Sequence, residues 1–551
     1  MKFLRALSLI MLGAGTALAQ GGAPADRQAG AASVADEIKA LREAVAQQQQ
    51  QIAQQQLQIG QQQQKIDSLE KALGGTAHVE NAALHPNAPA TTATVSSDAP
   101  PQDKPKESPL SFRIGQADFT PGGFVDFETV FRTTNTGNNI STQFGQIPFS
   151  NTVQGHLTEL RLTGQYSRYS LKVTTKFGAN DVTGYLEGDF NGNDAANVFV
   201  TSNPHTNRLR LYWAQIKRGN WEFLGGQSWG WITPNRVGLS PVPADLAITI
   251  NEDANIQVGI PYTRAGQFRV VYHPNDNWQL GAAVENPEQF VGVGEVIFPF
   301  AFNAQLGPQF DAGNNTATPN AFPDVISKIA YDRTFGNSKH FHFEAGGLLT
   351  TVKITNIHIG VPGTPFVTHT ASGGSVLGAM NVDVVKGLRV LANGLWGQGN
   401  GRYLIGLGPA AVVRPIQSSP TVFDTELSLP HSGGGLAGLE FQPTKAPKTL
   451  FGAYYGAVYF MRNAFPDTTS PLAVKPIIGF GGINSPNSAN RAIQEATFDW
   501  TQTMWRNPQY GAVVLITQTS YLTRSPWFVA PGAPKNAHLT MAFLSLRYVL
   551  P

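Results

Sequence analysis

The chain has no cysteine among its 551 residues, which excludes a disulfide scaffold, a thiolate metal site and a cysteine nucleophile. Charge is scarce. Asp, Glu, Lys and Arg make up 14 % of the residues, against about 25 % in ordinary soluble domains. The two signs nearly cancel, with 39 Lys and Arg against 37 Asp and Glu. No basic field therefore marks nucleic acid as a partner. No apolar window approaches the roughly 20 residues of a membrane-spanning helix without a charge, glycine or proline. There is no H-E-x-x-H helix, and the chain reads as non-enzymatic, without cofactor or metal. What is abundant is glycine, with 57 residues, and aromatics at 10 %. That composition suits a large β-barrel in a cell envelope.

The N-terminus reads as an address. Lys2 and Arg5 precede a short apolar run, Ala6 to Leu12, and Ala17-Leu18-Ala19 forms an A-x-A cleavage site. Residues 1–19 are therefore expected to be a signal peptide, cut before Gln20, with a short N-terminal segment over 20–32. Residues 33–73 carry a heptad pattern. Ile38, Val45, Ile52, Ile59, Ile66 and Leu73 occupy one core register, and Val34, Leu41, Gln48, Gln55, Gln62 and Leu69 the other. The pattern predicts an α-helical coiled coil, about 1.5 Å per residue and so roughly 60 Å long. Buried Gln favours one register, but these heptads alone do not choose between dimer and trimer. Residues 74–111, rich in Pro, Ala, Thr and Ser, read as an extended linker.

From Phe112 to Pro551 the helical period gives way to short alternating segments between Gly, Asn, Pro and Asp clusters. Val125, Phe127, Thr129 and Phe131 alternate with Asp126, Glu128, Val130 and Arg132. Leu209, Leu211 and Trp213 alternate with Arg208, Arg210 and Tyr212. A charged face and an apolar face on one strand is the pattern of a membrane barrel, with water inside and lipid outside. A first count finds 17 segments, which is odd. Single-chain bacterial barrels have even counts, with short periplasmic turns and long outer loops. Treating 156–178 as one strand bulged near Tyr166-Ser167-Arg168 restores the alternation and predicts a 16-stranded antiparallel transmembrane barrel. The short turns fall at Gly178–Asp181, Arg218–Asn220, Pro274–Asn277, Phe335–Lys339, Lys386-Gly387, Pro443–Lys448 and Asn507-Pro508. The long loops fall at 133–155, 191–206, 229–264, 286–324, 353–375, 399–433, 462–491 and 522–536. A barrel of this width leaves an aqueous channel.

Five segments, taken in order, resemble the DcaP-like porin family. They are Ser167-Arg168 through Lys172, Gly184-Tyr185-Leu186-Glu187-Gly188-Asp189-Phe190, Gly225-Gly226-Gln227-Ser228-Trp229, Gly281-Ala282-Ala283-Val284-Glu285-Asn286-Pro287-Glu288 and Gln398-Gly399-Asn400-Gly401-Arg402-Tyr403. The resemblance spans about 112–551, and a preceding coiled coil also fits it. It implies a homotrimeric outer-membrane porin that passes small organic anions such as dicarboxylates. One departure is the end of the chain, Arg547-Tyr548-Val549-Leu550-Pro551, where such barrels usually close on an aromatic residue.

The expected function is passive diffusion of small hydrophilic solutes, anionic ones above all, through the outer membrane. The coiled coil would then lie in the periplasm, within reach of a periplasmic or peptidoglycan partner. Two alternatives come from other classes: a structural tether whose pore is incidental, and an outer-membrane barrel enzyme. The third long loop, 229–264, is the expected constriction, because such loops often fold inward. It carries Arg236, Asp245, Glu252, Asp253 and Arg264, and the strand before it Arg208 and Arg210. Glu159, Arg161, Lys172 and Lys176 are expected to line the pore from the long strand. Opposed charges in a narrow wet channel select ions by their field. The Asp189–Asp194 stretch departs from the calcium-loop pattern at both diagnostic positions. His340 and His342 share a strand face but lack a third ligand.

Overall fold

The computed structural model describes residues 108–551, apart from 138–139, 193–204, 242–245, 252–255, 314–317, 337–338, 362 and 364. The expected signal peptide, N-terminal segment and coiled coil, and the linker as far as residue 107, lie outside the described residues.

The chain forms a closed antiparallel barrel of 16 strands. In chain order they are β1 (Ala117–Arg132), β2 (Glu159–Thr163 continued by Arg168–Phe177), β3 (Asn180–Asp189), β4 (Arg208–Arg218), β5 (Trp221–Trp229), β6 (Arg264–Tyr272), β7 (Trp278–Glu285) and β8 (Asp324–Phe335). Then come β9 (Lys339–Ile357), β10 (Phe366–Val385), β11 (Leu388–Gln398), β12 (His431–Phe441), β13 (Thr449–Phe460), β14 (Asn490–Asn507), β15 (Gly511–Pro526) and β16 (Ala537–Val549). Each strand pairs with its sequence neighbours. The barrel closes where β1 meets β16, from Phe124↔Val549 to Arg132↔Met541. Closure leaves the barrel wall no open edge, so the strands there are paired without water; the outer ends of β9 and β10 extend past their other neighbours.

The bulge in β2 is real. Both halves of β2 pair with β1, Glu128 opposite Thr163 and Phe124 opposite Arg168. Four residue steps on β1 face five on β2, so one extra residue is accommodated at Gly164–Ser167. The Ser167 hydroxyl donates back to the Asp126 carbonyl and accepts from the Asp126 N–H. The bulge therefore keeps its backbone satisfied.

Side chains follow the two-residue period. On β1, Val125, Phe127 and Phe131 are exposed on the outside, while Asp126, Glu128 and Arg132 are buried on the inside. Outward aromatics gather toward the two rims. Phe177, Trp221, Trp278, Phe335 and Trp505 lie near the short turns, and Trp396, Tyr459 and Tyr521 near the long loops. These are the amphipathic girdles expected at two membrane interfaces.

Three sequence expectations need correction. The segment 353–375 is not mostly loop, because β9 runs to Ile357 and β10 begins at Phe366. Its outward residues Lys353, Thr355, Thr368 and Thr370 are polar and give the segment a loop-like composition. Its inward Ile354, with Val352 just before it, packs against Phe302, Leu306 and Phe310 of the neighbouring loop, and that core holds the strands extended. For a similar reason β15 runs on to Pro526, with Leu522 and Arg524 buried inside. The third correction is in β4. The ladder with β3 slips between Glu187 and Gly188. The slip puts Arg210 and Leu211 both among the buried residues, with Leu209 and Tyr212 exposed. Strict alternation therefore fails at the extra residue.

Candidate functional site

The third long loop, between β5 and β6, folds into the lumen. Its backbone N–H groups account for the path. Trp231 donates to Glu285 of β7, near the outer rim. Asn235 donates to Glu344 of β9 at 2.9 Å. Gly238 donates to Asp332 of β8 at 3.0 Å, and Leu239 to Gln279 of β7 at 2.8 Å, both close to the short-turn end. Between these contacts the Arg236 side chain reaches β12, where two guanidinium nitrogens grip Glu440, and it also holds the Leu246 carbonyl as the loop turns back. The loop climbs past Tyr454, Gln518 and Glu495, whose side chains accept the N–H groups of Ile248, Ile250 and Val258. The Tyr262 N–H then donates to the Tyr403 carbonyl at 2.8 Å.

This arrangement has a physical reason. Water in a lumen is displaced when a loop enters, so each buried amide needs a new acceptor. Carboxylates on the inner faces of β7, β8, β9 and β14 supply them, Glu285, Asp332, Glu344 and Glu495, while Glu440 of β12 takes the Arg236 guanidinium instead. Small residues make room: a Cβ on Gly456 of β13 would overlap the Val258 carbonyl, and Gly259 adopts φ +96° against β12. Apolar side chains of the loop (Ile232, Leu239, Ile250, Ile256 and Val258) join inward residues of the wall in one buried cluster. The first long loop enters as well. Its Thr142 N–H donates to the Asn251 carbonyl, and Arg132 holds the Ile140 carbonyl.

Charges on the opposite wall are arranged differently. Arg208 and Arg210 of β4 are both paired on β3. Arg208 binds Asp189 through two nitrogens at 2.9 and 2.6 Å. Arg210, fully buried, reaches Glu187 at 2.7 Å and Asp189 at 2.8 Å. Arg168 stands 3.7 Å from Glu187. Three guanidiniums thus share two carboxylates. Glu159 is buried in a pair with Arg132. Lys176 meets Asp181 at the short-turn rim. Arg161 and Lys172 differ from all of these. Both lie on the inward parity of β2, flanked by outward Leu160, Leu162 and Leu171, and both are exposed. Neither makes an ion pair with a described acidic residue.

The sequence-derived candidates therefore separate. Arg161 and Lys172 carry open charge into the lumen, Arg208 half-covers its own, and Arg210 and Glu159 are buried in pairs. Arg236 anchors the loop to β12. Arg264 stands at the outer mouth, its guanidinium 5.8 Å from the Trp229 ring centroid and 5.7 Å from that of Tyr262. Asp245, Glu252 and Asp253 lie outside the described residues. The wall carboxylates Glu285, Glu344, Glu440 and Glu495 are not foreseen from sequence, since each looks like any inward strand residue. His340 and His342 do share the inward face of β9, and both approach Asp332, at 3.3 and 2.8 Å. One catalytic spelling escapes the sequence reading: Gly226-Gln227-Ser228-Trp229-Gly230 matches G-x-S-x-G. Its context is wrong for a nucleophile elbow, which needs a helix after the strand. Ser228 lies one residue before the end of β5, and its hydroxyl donates to the Pro241 carbonyl at 2.5 Å.

The fold and this inward loop define a closed 16-stranded antiparallel barrel whose third long loop fills part of the lumen. Among solved structures, the crystal structure of the outer membrane channel DcaP of Acinetobacter baumannii is similar with a TM-score of 0.52 and 16 % identity, over 79 % of this chain and 97 % of that one. The barrel shares that channel's fold. The anion-selective porin from Comamonas acidovorans is similar at a TM-score of 0.41 and 10 % identity, over 79 % of this chain and 100 % of that one. The outer-membrane OmpT of Vibrio cholerae matches at 0.41 and 10 %, over 80 % and 99 %. No family model matches the chain, and no curated protein matches its sequence.

Proposed function

We propose that this protein is an outer-membrane porin for small hydrophilic solutes, organic anions such as dicarboxylates first among them. The observation that carries the reading is the asymmetry of the lumen. The third loop covers the acidic wall and turns its carboxylates onto backbone amides and buried cations. The facing wall of β2 to β4 keeps Arg161 and Lys172 open to water and holds one more guanidinium than carboxylate around Glu187 and Asp189. The net field of such a channel draws anions. A guanidinium can also grip a carboxylate with two parallel hydrogen bonds.

The reading extends to assembly and placement. Three barrels associate, and the coiled coil over residues 33–73 stands in the periplasm. Support comes from the heptads and from the resemblance of the barrel segments.

Planar-bilayer recording across a salt gradient tests the channel. The expected result is stepwise conductance with a reversal potential on the anion side, and liposome swelling faster with succinate than with a neutral sugar of similar size. Absence of both conductance and swelling from correctly folded protein would leave the tether as the better reading. Assembly is tested separately. Unboiled protein is expected to run as a trimer in SDS and as a monomer after boiling. Light scattering of a monomer in detergent would rule the trimer out.

A further inference from the structure

We propose that the outer mouth of the barrel holds a binding site for a small carboxylate with an apolar body, separate from the constriction. A cavity of about 300 Å3 opens between the root of the third loop and the loops that follow β7 and β11. Tyr262, Arg264, Glu288, Phe290, Arg402 and Ile405 line it.

Two features mark it as a built site. The first is a fixed cation. Arg402 spends one nitrogen, Nη2, on three partners: the Asn286 carbonyl at 3.0 Å, Asp324 at 2.9 Å and the Tyr403 hydroxyl at 2.8 Å. Its side chain is only 11 % exposed, its Nε is buried without a partner, and its Nη1 makes none of these bonds. The guanidinium is thus anchored at one end with donors left over. Arg264 adds a second guanidinium, held by the Tyr262 hydroxyl. Beside it the Thr263 hydroxyl is buried without a hydrogen-bond partner. The second feature is the apolar wall. Ile405 adopts φ 59°, a left-handed conformation that β-branched residues rarely take. Such strain persists where the surroundings impose it, and it clusters at ligand sites. Here it sets Ile405 beside Gly406 on the cavity wall, with Phe290 also lining it.

Glu288 is the opposing charge. It accepts from the Thr318 hydroxyl at 2.9 Å, and burial holds its carboxyl above the ordinary value. The two guanidiniums outnumber the Glu288 carboxylate, and with Phe290 and Ile405 they select a ligand with one carboxylate and an apolar or aromatic body. A purely hydrophilic anion lacks the apolar contact, and an amine meets two cations against one carboxylate.

Calorimetric titration of the full-length protein in detergent with benzoate, acetate and benzylamine tests the site, and it does not depend on conduction. Benzoate is expected to saturate one site per chain and to bind at least roughly tenfold more tightly than acetate, with no binding of benzylamine. Arg264→Gln should weaken benzoate roughly tenfold. Ile405→Gly should erase the preference for benzoate over acetate, because it removes apolar contact and leaves both cations. Heat-modifiable gel mobility checks that both variants fold. Equal binding of benzoate and acetate, binding of benzylamine, or folded variants that bind as the parent does would each overturn the proposal. A barrel that binds benzoate but does not conduct would sink the porin reading and leave this site standing. A conducting barrel that ignores benzoate would do the reverse.

Discussion

Replacing Arg236 by alanine is expected to raise single-channel conductance and to admit larger solutes. Arg236 joins the deepest part of the third loop to the far wall. Two of its nitrogens bind Glu440, and one also holds the Leu246 carbonyl at 2.9 Å. The Tyr454 hydroxyl donates to the same Glu440 at 2.8 Å, so the substitution leaves a buried carboxylate with one neutral partner. Removing one member of a buried pair costs about 3–5 kcal/mol, because the other charge stays uncompensated. The barrel's own ladders do not pass through this contact, so that cost falls on the seating of the loop and not on the barrel. We expect roughly a two- to threefold rise in conductance, since pore cross-section sets the resistance of a water-filled channel. Glu440→Gln keeps a neutral acceptor and should raise conductance less. Heat-modifiable mobility should be unchanged in both. If Arg236→Ala conducts as the parent does, with a folded barrel, the loop is held by its amide contacts alone.

The second large effect is on selectivity. Converting Arg161 and Lys172 together to glutamate should carry the reversal potential across zero, from the anion side to the cation side. Each substitution changes the local charge by two units at an exposed lumen position that has no described ion-pair partner. No buried pair is broken, so stability should stay close to that of the parent. Attraction and repulsion in a narrow pore exceed their values in bulk water. They also weaken as salt rises, so the shift should shrink at high ionic strength. Arg208→Ala makes the contrast. Its guanidinium is bound to Asp189, and its loss exposes that carboxylate while Arg210 still holds it, so its effect should be smaller. An unchanged reversal potential in the double variant would show that β2 does not face the conducting path.

Much of the barrel is legible in the sequence. Turn residues at Gly178, Asn220, Asn277, Gly387 and Asn507 mark reversals by local backbone preference, which needs no distant partner. The inward and outward faces follow from a period of two, which is equally local. Even the bulge in β2 showed as a defect in the count, because an extra residue flips every later side chain unless something absorbs it. Reading failed where the local pattern was ambiguous. The polar outer face of β9 and β10 looked like loop, since the hydrophobic core beneath it comes from residues 302–310. The slip at Arg210 was hidden because either residue at a bulge fits a strand.

Charge pairing was the part that sequence could not reach. Arg161 and Arg210 are both inward arginines on early strands, and nothing in their neighbours separates them. One is open and the other buried because β3 supplies Glu187 and Asp189 only to β4 and to the lower half of β2. The third loop makes the same point over longer distances, since Arg236 and Glu440 are separated by 204 positions. By itself the sequence determined the class of fold, the strand count and, outside the slip in β4, the inward set of residues, because those depend on backbone preference and a two-residue period. Only the tertiary structure decided which inward charges are spent on holding the loop and which remain for a solute, because an ion pair forms between side chains that the closed barrel, and not the chain order, brings together.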